Sequence, residues 1–443
     1  MTPVAAAMLC GFQPPTDPPL HQPAKMAPAT GERVVNPVWP GPYAAESAHF
    51  TLWWGDDRDV PQFVVDGLLD DLEDSWAAQV DELGWAPPVG TDAFKVNAYI
   101  GNSYPEGPTI DFTGGYVTLD DDGVPYVVFA ISAVDSIGWN PGPVHRLVQH
   151  EFNHLVQLGE PDLYSTRRGQ FYFEATANWV SAEVTGDVEE YADWGGYLLQ
   201  PHFSVHAFGN LFDDEDRRSG RQYLTALYVQ YLADRYGPEL IRRSWDEAPG
   251  ASDPLDWIDA AIDDDLEDVF VDFAVGHATG DHPLASTYAQ GASAAAQRGA
   301  PIESILAWIP PEGGEGRAMG RQRPEGTSWS RVVFPADQDA VVTFTFQPDD
   351  EGTRGTPARF RSVAVVERAG TFERVPFDEE VVLDVRTGDM VHFVHVAVPV
   401  GYQDEERFGF DYTLDVAPER AGCGCASGSS WFAPSISFLR RRP

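Results

Sequence analysis

The stretch His150-Glu151-Phe152-Asn153-His154 puts two imidazoles and a carboxylate where they can act together. In an α-helix, residues four apart lie about 40° apart around the axis, so His150 and His154 turn their rings toward one point. Two imidazoles on one helical face suit zinc, and Glu151 beside them can reach a water at the metal. That is hydrolytic chemistry: Zn2+ polarises a carbonyl and the carboxylate serves as general base. A catalytic site of this kind needs a third protein ligand and an open fourth position. Nineteen residues separate His154 from Glu174, which stands in the segment Gln170-Phe-Tyr-Phe-Glu-Ala-Thr-Ala-Asn-Trp-Val180. Glu174 is expected to complete the metal set. Asn178, one turn further on, is expected to hold His150 from behind by a hydrogen bond.

Two helices must position these groups. Val144, Leu147, Val148, Phe152, Leu155 and Val156 surround the histidines with apolar side chains, which predicts a buried helix. Pro141 and Pro143 sit just ahead of it, where a helix can start but not continue backwards. Phe173, Ala177 and Val180 form one stripe of a second helix carrying Glu174.

The pattern HExxH, nineteen residues, then Glu with a polar residue four later resembles the gluzincin metallopeptidases, the thermolysin-like group. The run Glu174-Ala-Thr-Ala-Asn-Trp179 is also similar to a family of myxobacterial surface metalloproteases. The resemblance implies an α+β, zincin-like domain: a mixed sheet with active-site helices. It also implies a zinc endopeptidase whose substrate is a protein or peptide. Gluzincins commonly supply a Tyr or His from beyond the third ligand to the oxyanion. His202, His206 and Tyr223 are the candidates here, and no motif chooses among them. By the same analogy, Tyr126 to Ile131 is expected to be the edge strand on which an extended peptide lies. The sequence departs from the family at Asn178, where Asp is common. A neutral amide orients the imidazole but raises its basicity less than a carboxylate does. A metzincin would carry Gly and His where Gln157 and Glu160 stand, and nothing resembles the Gly-x-Met-x-Asn motif of the related aminopeptidases. The competing reading is a non-catalytic surface binding or adhesion protein with a metallopeptidase-like domain. The intact set of Glu151 and three ligands speaks against it.

Composition narrows the classes further. The formal net charge of −40 excludes nucleic acid as a partner, because a polyanion would be repelled. Lys25 and Lys95 are the only lysines, so nearly all positive charge is arginine. No apolar run is long enough for a transmembrane helix. Such acidity suits a secreted protein or a salty medium, and the resemblance implies an extracellular or cell-surface bacterial protein.

The chain divides into four parts. Residues 1–44 read as a leader and a Pro-rich tether, with a short apolar patch before Cys10. Residues 45–312 read as the metallopeptidase domain. In it, His49–Trp53, Phe94–Ile100, Tyr116–Leu119 and Tyr126–Ile131 read as strands. Val60–Leu83, Tyr223–Tyr236 and Leu266–Val275 read as amphipathic helices. Asp120-Asp-Asp-Gly123 reads as a hairpin turn, and the runs Asp213–Asp216 and Asp263–Asp265 as solvated faces. Pro310 to Gly316 reads as a linker. Residues 313–418 alternate in about six short strands, as a β-sandwich does. Within it His392 and His395, three residues apart, are expected on opposite faces. Residues 419–443 resemble the myxobacterial C-terminal sorting tail. Cys423 and Cys425 are its signature cysteines, and Arg440 to Arg442 its basic cluster. That tail implies surface anchoring, although its apolar stretch, Trp431 to Leu439, is far shorter than the roughly 20 residues of a spanning helix.

Overall fold

The computed structural model describes residues 9–10, 34–121, 123–138, 140–159, 169–209, 220–247, 253–297, 305–307, 316–357, 359–398 and 405–418. The rest of the expected leader, the acidic run Asp213–Asp216, most of the linker after Pro310 and the Cys423–Cys425 tail lie outside the described residues. The architecture is α+β: a mixed sheet with helices, followed by two β-sheets packed as a sandwich.

The first sheet contains β2 (Tyr43–Glu46), β3 (Phe50–Trp54), β4 (Val96–Gly101), β5 (Gly114–Leu119) and β6 (Pro125–Ala130), in the order β5-β6-β4-β3-β2. β3, β4 and β6 run parallel, whereas β2 and β5 are antiparallel to their neighbours. A two-residue strand, β1 (Leu9–Cys10), pairs parallel to β5 at Gly114 and Gly115. The expected hairpin is present. Asp120 closes its turn, its carboxylate accepting from Val124 N at 2.8 Å, and Gly123 takes φ 78°. This hairpin corrects the expected edge strand. β5 folds back along the outer side of β6, so β6 becomes interior and is buried along its whole length. Its unbroken apolar run, Pro-Tyr-Val-Val-Phe-Ala, is the signature of a strand covered on both faces.

Helix α1 (Gln62–Trp76) lays Val64, Val65, Leu68, Leu69, Leu72 and Trp76 into the core, as their spacing predicts. Its continuation, Ala77–Glu82, is not α-helical but a π-helical turn. After the short α2 (Ile131–Val134) come α3 (Pro141–Gln157) and α4 (Gln170–Thr185). Both prolines fall inside the first turn of α3, where a missing N–H costs nothing. Among the described residues, seven further α-helices follow: α5 (Val188–Trp194), α6 (Arg221–Leu224), α7 (Ala226–Tyr236), α8 (Pro238–Asp246), α9 (Pro254–Ala261), α10 (Leu266–Thr279) and α11 (Ala285–Gln297).

The sandwich has one sheet ordered β13-β10-β15-β8 and another ordered β12-β11-β14-β9, the latter extended by the three-residue β7 (Ile305–Ala307) parallel to β9. These strands are β8 (Gly316–Gln322), β9 (Ser328–Pro335), β10 (Ala340–Pro348), β11 (Phe360–Arg368), β12 (Thr371–Phe377), β13 (Glu380–Val385), β14 (Met390–Ala397) and β15 (Phe410–Pro418). The two sheets enclose a core of their own that includes Phe344, Phe346, Val391 and Phe393. β11 and β14 are buried on both faces because their other side packs on α10. Val363, Val365, Val394, Val396 and Trp329 therefore belong to the core of the first domain. Backbone bonds cross the same seam, from Val205 N to Thr327 O at 3.1 Å and from Trp329 N to Pro201 O at 3.0 Å. Arginines of the sandwich complete it: Arg359 grips Glu267 with two bonds of 2.9 and 3.0 Å, and Arg361 pairs with Asp268. His392 and His395 do lie on opposite faces of β14. His395 stacks on Phe346 inside the sandwich, and His392 lies 3.5 Å from Glu367.

Candidate metal centre

α3 is buried without interruption from Leu147 to Gln157, and α4 packs beside it with Phe171 to Ala177 equally enclosed. An uninterrupted buried helix is where a polar side chain needs a partner. The partners here are one another. His150 Nε2 and His154 Nε2 lie 3.0 Å apart, and Glu174 Oε2 lies 3.2 Å from the first and 3.5 Å from the second. Among the described residues this is the one group of three or more His, Cys, Asp or Glu able to hold a metal ion.

The spacing can be tested against zinc geometry. Ligands at about 2.0–2.1 Å in a tetrahedral array stand about 3.3–3.4 Å from one another. The three separations bracket that value, so the donors face one point at the right radius. The far sides of the rings agree with this. His154 Nδ1 bonds Gln157 Oε1 at 2.7 Å, which leaves Nε2 for the metal. Asn178 donates through Nδ2 to Tyr223 O at 3.2 Å, so its Oδ1 is the atom left to accept from His150.

Electrostatics point the same way. Burial pushes the His150 imidazole down, and the hydrogen bonds it donates to Glu174 and Asn178 offset this only in part. Burial acts likewise on His154, but the charges of Glu174 and Glu151 prevail and the net shift is upward. Burial raises the Glu174 carboxyl, yet His154 and His150 pull harder and bring it down to about 2. The trio thus keeps an ionised carboxylate and favours positive charge between its donors, the place a divalent cation fits.

Glu151 is fully buried beside the trio. Its position explains a glycine that the sequence reading missed. A Cβ on Gly115 would stand 2.9 Å from Glu151 Cγ and 3.0 Å from its Cδ and Oε1. The start of β5 therefore presses against the carboxylate, and any side chain at position 115 would push it aside. Two consecutive glycines opening a strand were the available signal.

Of the three oxyanion candidates, Tyr223 lies beside the site, its ring centroid 6.1 Å from that of His150. His206 is engaged elsewhere: its Nε2 bonds Asp253 Oδ2 at 2.9 Å and its ring packs on Phe171. His202 sits at the seam with the sandwich, its ring against Phe203 and its carbonyl accepting from Glu325 N.

No curated protein matches this chain. Solved structures match weakly. The g-type lysozyme inhibitor PliG of Aeromonas hydrophila is 8% identical over 26% of this chain and 96% of its own, with a TM-score of 0.19. The pre-peptidase C-terminal domain of collagenase from Bacillus anthracis is 10% identical over 26% of this chain and 93% of its own, with a TM-score of 0.16. Likenesses this faint carry no functional weight. No described helix is long and apolar enough to cross a membrane. DUF6055, a family of unknown function, matches residues 20–305, well over half of the sequence, and the chain belongs to that family.

Proposed function

We propose that this chain is a secreted or surface-attached zinc-dependent endopeptidase acting on protein or peptide substrates. The observation that carries the reading is the spacing of His150, His154 and Glu174, with the Glu151 carboxylate packed beside them. These three residues would hold Zn2+. Once bound, the ion would supply Lewis acidity to the scissile carbonyl and to the attacking water. Glu151 takes the proton from that water and passes it to the leaving amine. Its burial excludes bulk water, so the proton it holds goes to the amine rather than to solvent. Asn178 and Gln157 hold the two imidazoles from behind. Tyr223 takes the part of oxyanion donor, supported by its ring beside His150. The surplus of acidic residues supports an extracellular or surface location.

The test is zinc content and cleavage of an unfolded protein, for wild type and Glu151→Gln side by side. Zinc in both with cleavage in wild type alone is the expected result. Zinc in both and cleavage in neither would favour the binding protein, and no zinc in either would refute the metal site.

A further inference from the structure

Beside the histidine stripe of α3 runs a second one. Gln149, Asn153 and Gln157 recur every four residues, one position off His150 and His154, and all three are fully buried. A stripe of amides inside an apolar core is unfavourable unless every donor and acceptor is met. Gln79, from the π-helical turn after α1, is buried with them. π-turns are frequent where a side chain is re-aimed for function.

The four amides form a chain with a direction. Gln157 Nε2 donates to Asn153 Oδ1 at 2.8 Å and to Phe173 O at 3.2 Å. Asn153 Nδ2 donates to Gln79 Oε1 at 3.1 Å, and Gln79 Nε2 donates to Gln149 O at 2.8 Å. Amide oxygens and nitrogens are distinguished by their partners, and a backbone carbonyl can only accept. Phe173 O therefore fixes which end of Gln157 is nitrogen, and Gln149 O independently fixes Gln79. Asn153, between them, satisfies both assignments without conflict. With both ends pinned, Gln157 can offer only Oε1 to His154, so Nδ1 of that imidazole carries the proton and Nε2 keeps its lone pair for the trio.

We infer that Gln157, Asn153 and Gln79 form a one-way amide relay that locks His154 in its metal-binding tautomer, with Gln157 as the positioning residue. The inference rests on the metal-site reading. It assigns the buried polar stripe to metal affinity rather than to folding alone, and it gives the π-turn a task, which is to bring Gln79 to the far end of the relay. Partners behind a ligating histidine change metal affinity by about 10- to 100-fold.

The experiment measures zinc affinity of the full chain by competition with a chromophoric chelator, for wild type, Gln157→Met and Gln157→Glu. Both substitutions remove the donor to Asn153 and Phe173, but only the second keeps an oxygen for His154. The expected result is a loss of about 10- to 100-fold for Gln157→Met and affinity at or above wild type for Gln157→Glu. Equal losses in the two variants, or no loss in Gln157→Met, would overturn the relay. Should Gln157→Glu fail to fold, Gln79→Met decides. It is expected to weaken zinc binding in the wild-type background and to do nothing further in Gln157→Met, whereas additive losses would overturn the proposal. A wild-type chain that takes up no zinc would instead overturn the metal site, and the relay with it.

Discussion

Replacing Gly115 by alanine should move the Glu151 carboxylate, the proposed proton acceptor, away from the proposed metal site. The added methyl would sit 2.9 Å from Glu151 Cγ and 3.0 Å from Cδ and Oε1. Carbon contacts relax at about 3.5 Å or more, so the carboxylate must retreat by roughly 0.5 Å. The retreat falls on a side chain and not on backbone. Gly115 is also not among the residues of positive φ, so alanine suits its own backbone and the fold should tolerate the change. Catalysis should not. Misplacing a reacting group by about 1 Å costs on the order of 100-fold, so half that displacement predicts a drop in kcat of about tenfold. The assay pairs turnover of an unfolded protein with zinc content and Tm. Zinc at one ion per chain, a Tm close to wild type and kcat reduced roughly tenfold is the expected result. Undiminished kcat would refute the reasoning that Glu151 works from this position, and loss of zinc would show that β5 supports the ligands instead.

Other expectations follow from the same structure. Glu151→Gln should retain zinc and lose about 10²- to 10⁴-fold in kcat, the usual worth of a general base, measured by steady-state kinetics. Zinc at a hundred times its Kd stabilises by about 2.7 kcal/mol, so stripping it with a chelator should lower Tm by about 3–5 °C in calorimetry. Burial pushes the Glu190 carboxyl up to about 8 against the pull of Arg146. Its folded pKa lies above the unfolded one, so its stabilisation is complete below about 4.5 and is lost as pH rises through about 8. Glu190→Gln should flatten that decline in a series of melts, and an unchanged slope would refute the assignment. At the seam, Arg359→Ala should cost less than about 1 kcal/mol, because the pair with Glu267 is half-exposed. Val394→Asp should cost several kcal/mol by burying an unpaired charge, as urea titration would show.

The candidate metal trio was legible because helical spacing is a rigid rule: histidines four positions apart and one turn between Glu174 and Asn178 leave little freedom. Strands with apolar runs, such as β4, β6 and β14, were legible for a similar reason. β12 was not. Thr-Phe-Glu-Arg-Val-Pro-Phe is an outer strand with little buried surface, and its proline removes a donor that only an edge can spare. The placement of β5 outside β6 depends on which side of the strand the hairpin folds, and alternation within a strand says nothing of that. The long helix predicted to end at Leu83 changes to π-geometry after Trp76, because Gln79 is drawn to partners on α3 that lie 70 or more residues away in sequence. The predicted helix Tyr223–Tyr236 is broken at Thr225, whose hydroxyl turns back to Arg221 O. Asp263–Asp265 likewise proved to be more than a solvated face. Asp265 caps α10 by accepting from Glu267 N at 2.8 Å, and Asp264 binds Arg235 and Tyr236.

The seam between the helices and the sandwich bears on how such chains can be inherited. Modules that swing on a linker can be exchanged by recombination, because neither reads the other's surface. Here Val363, Val365, Val394 and Val396 of the sandwich complete the core of the first domain, and Arg359 and Arg361 match acids at specific turns of α10. A crossover at the linker would deliver a first domain with an uncovered apolar face and unanswered carboxylates. The family match ends at residue 305. The physical unit does not, because the β9-β14-β11 face completes the core over α10.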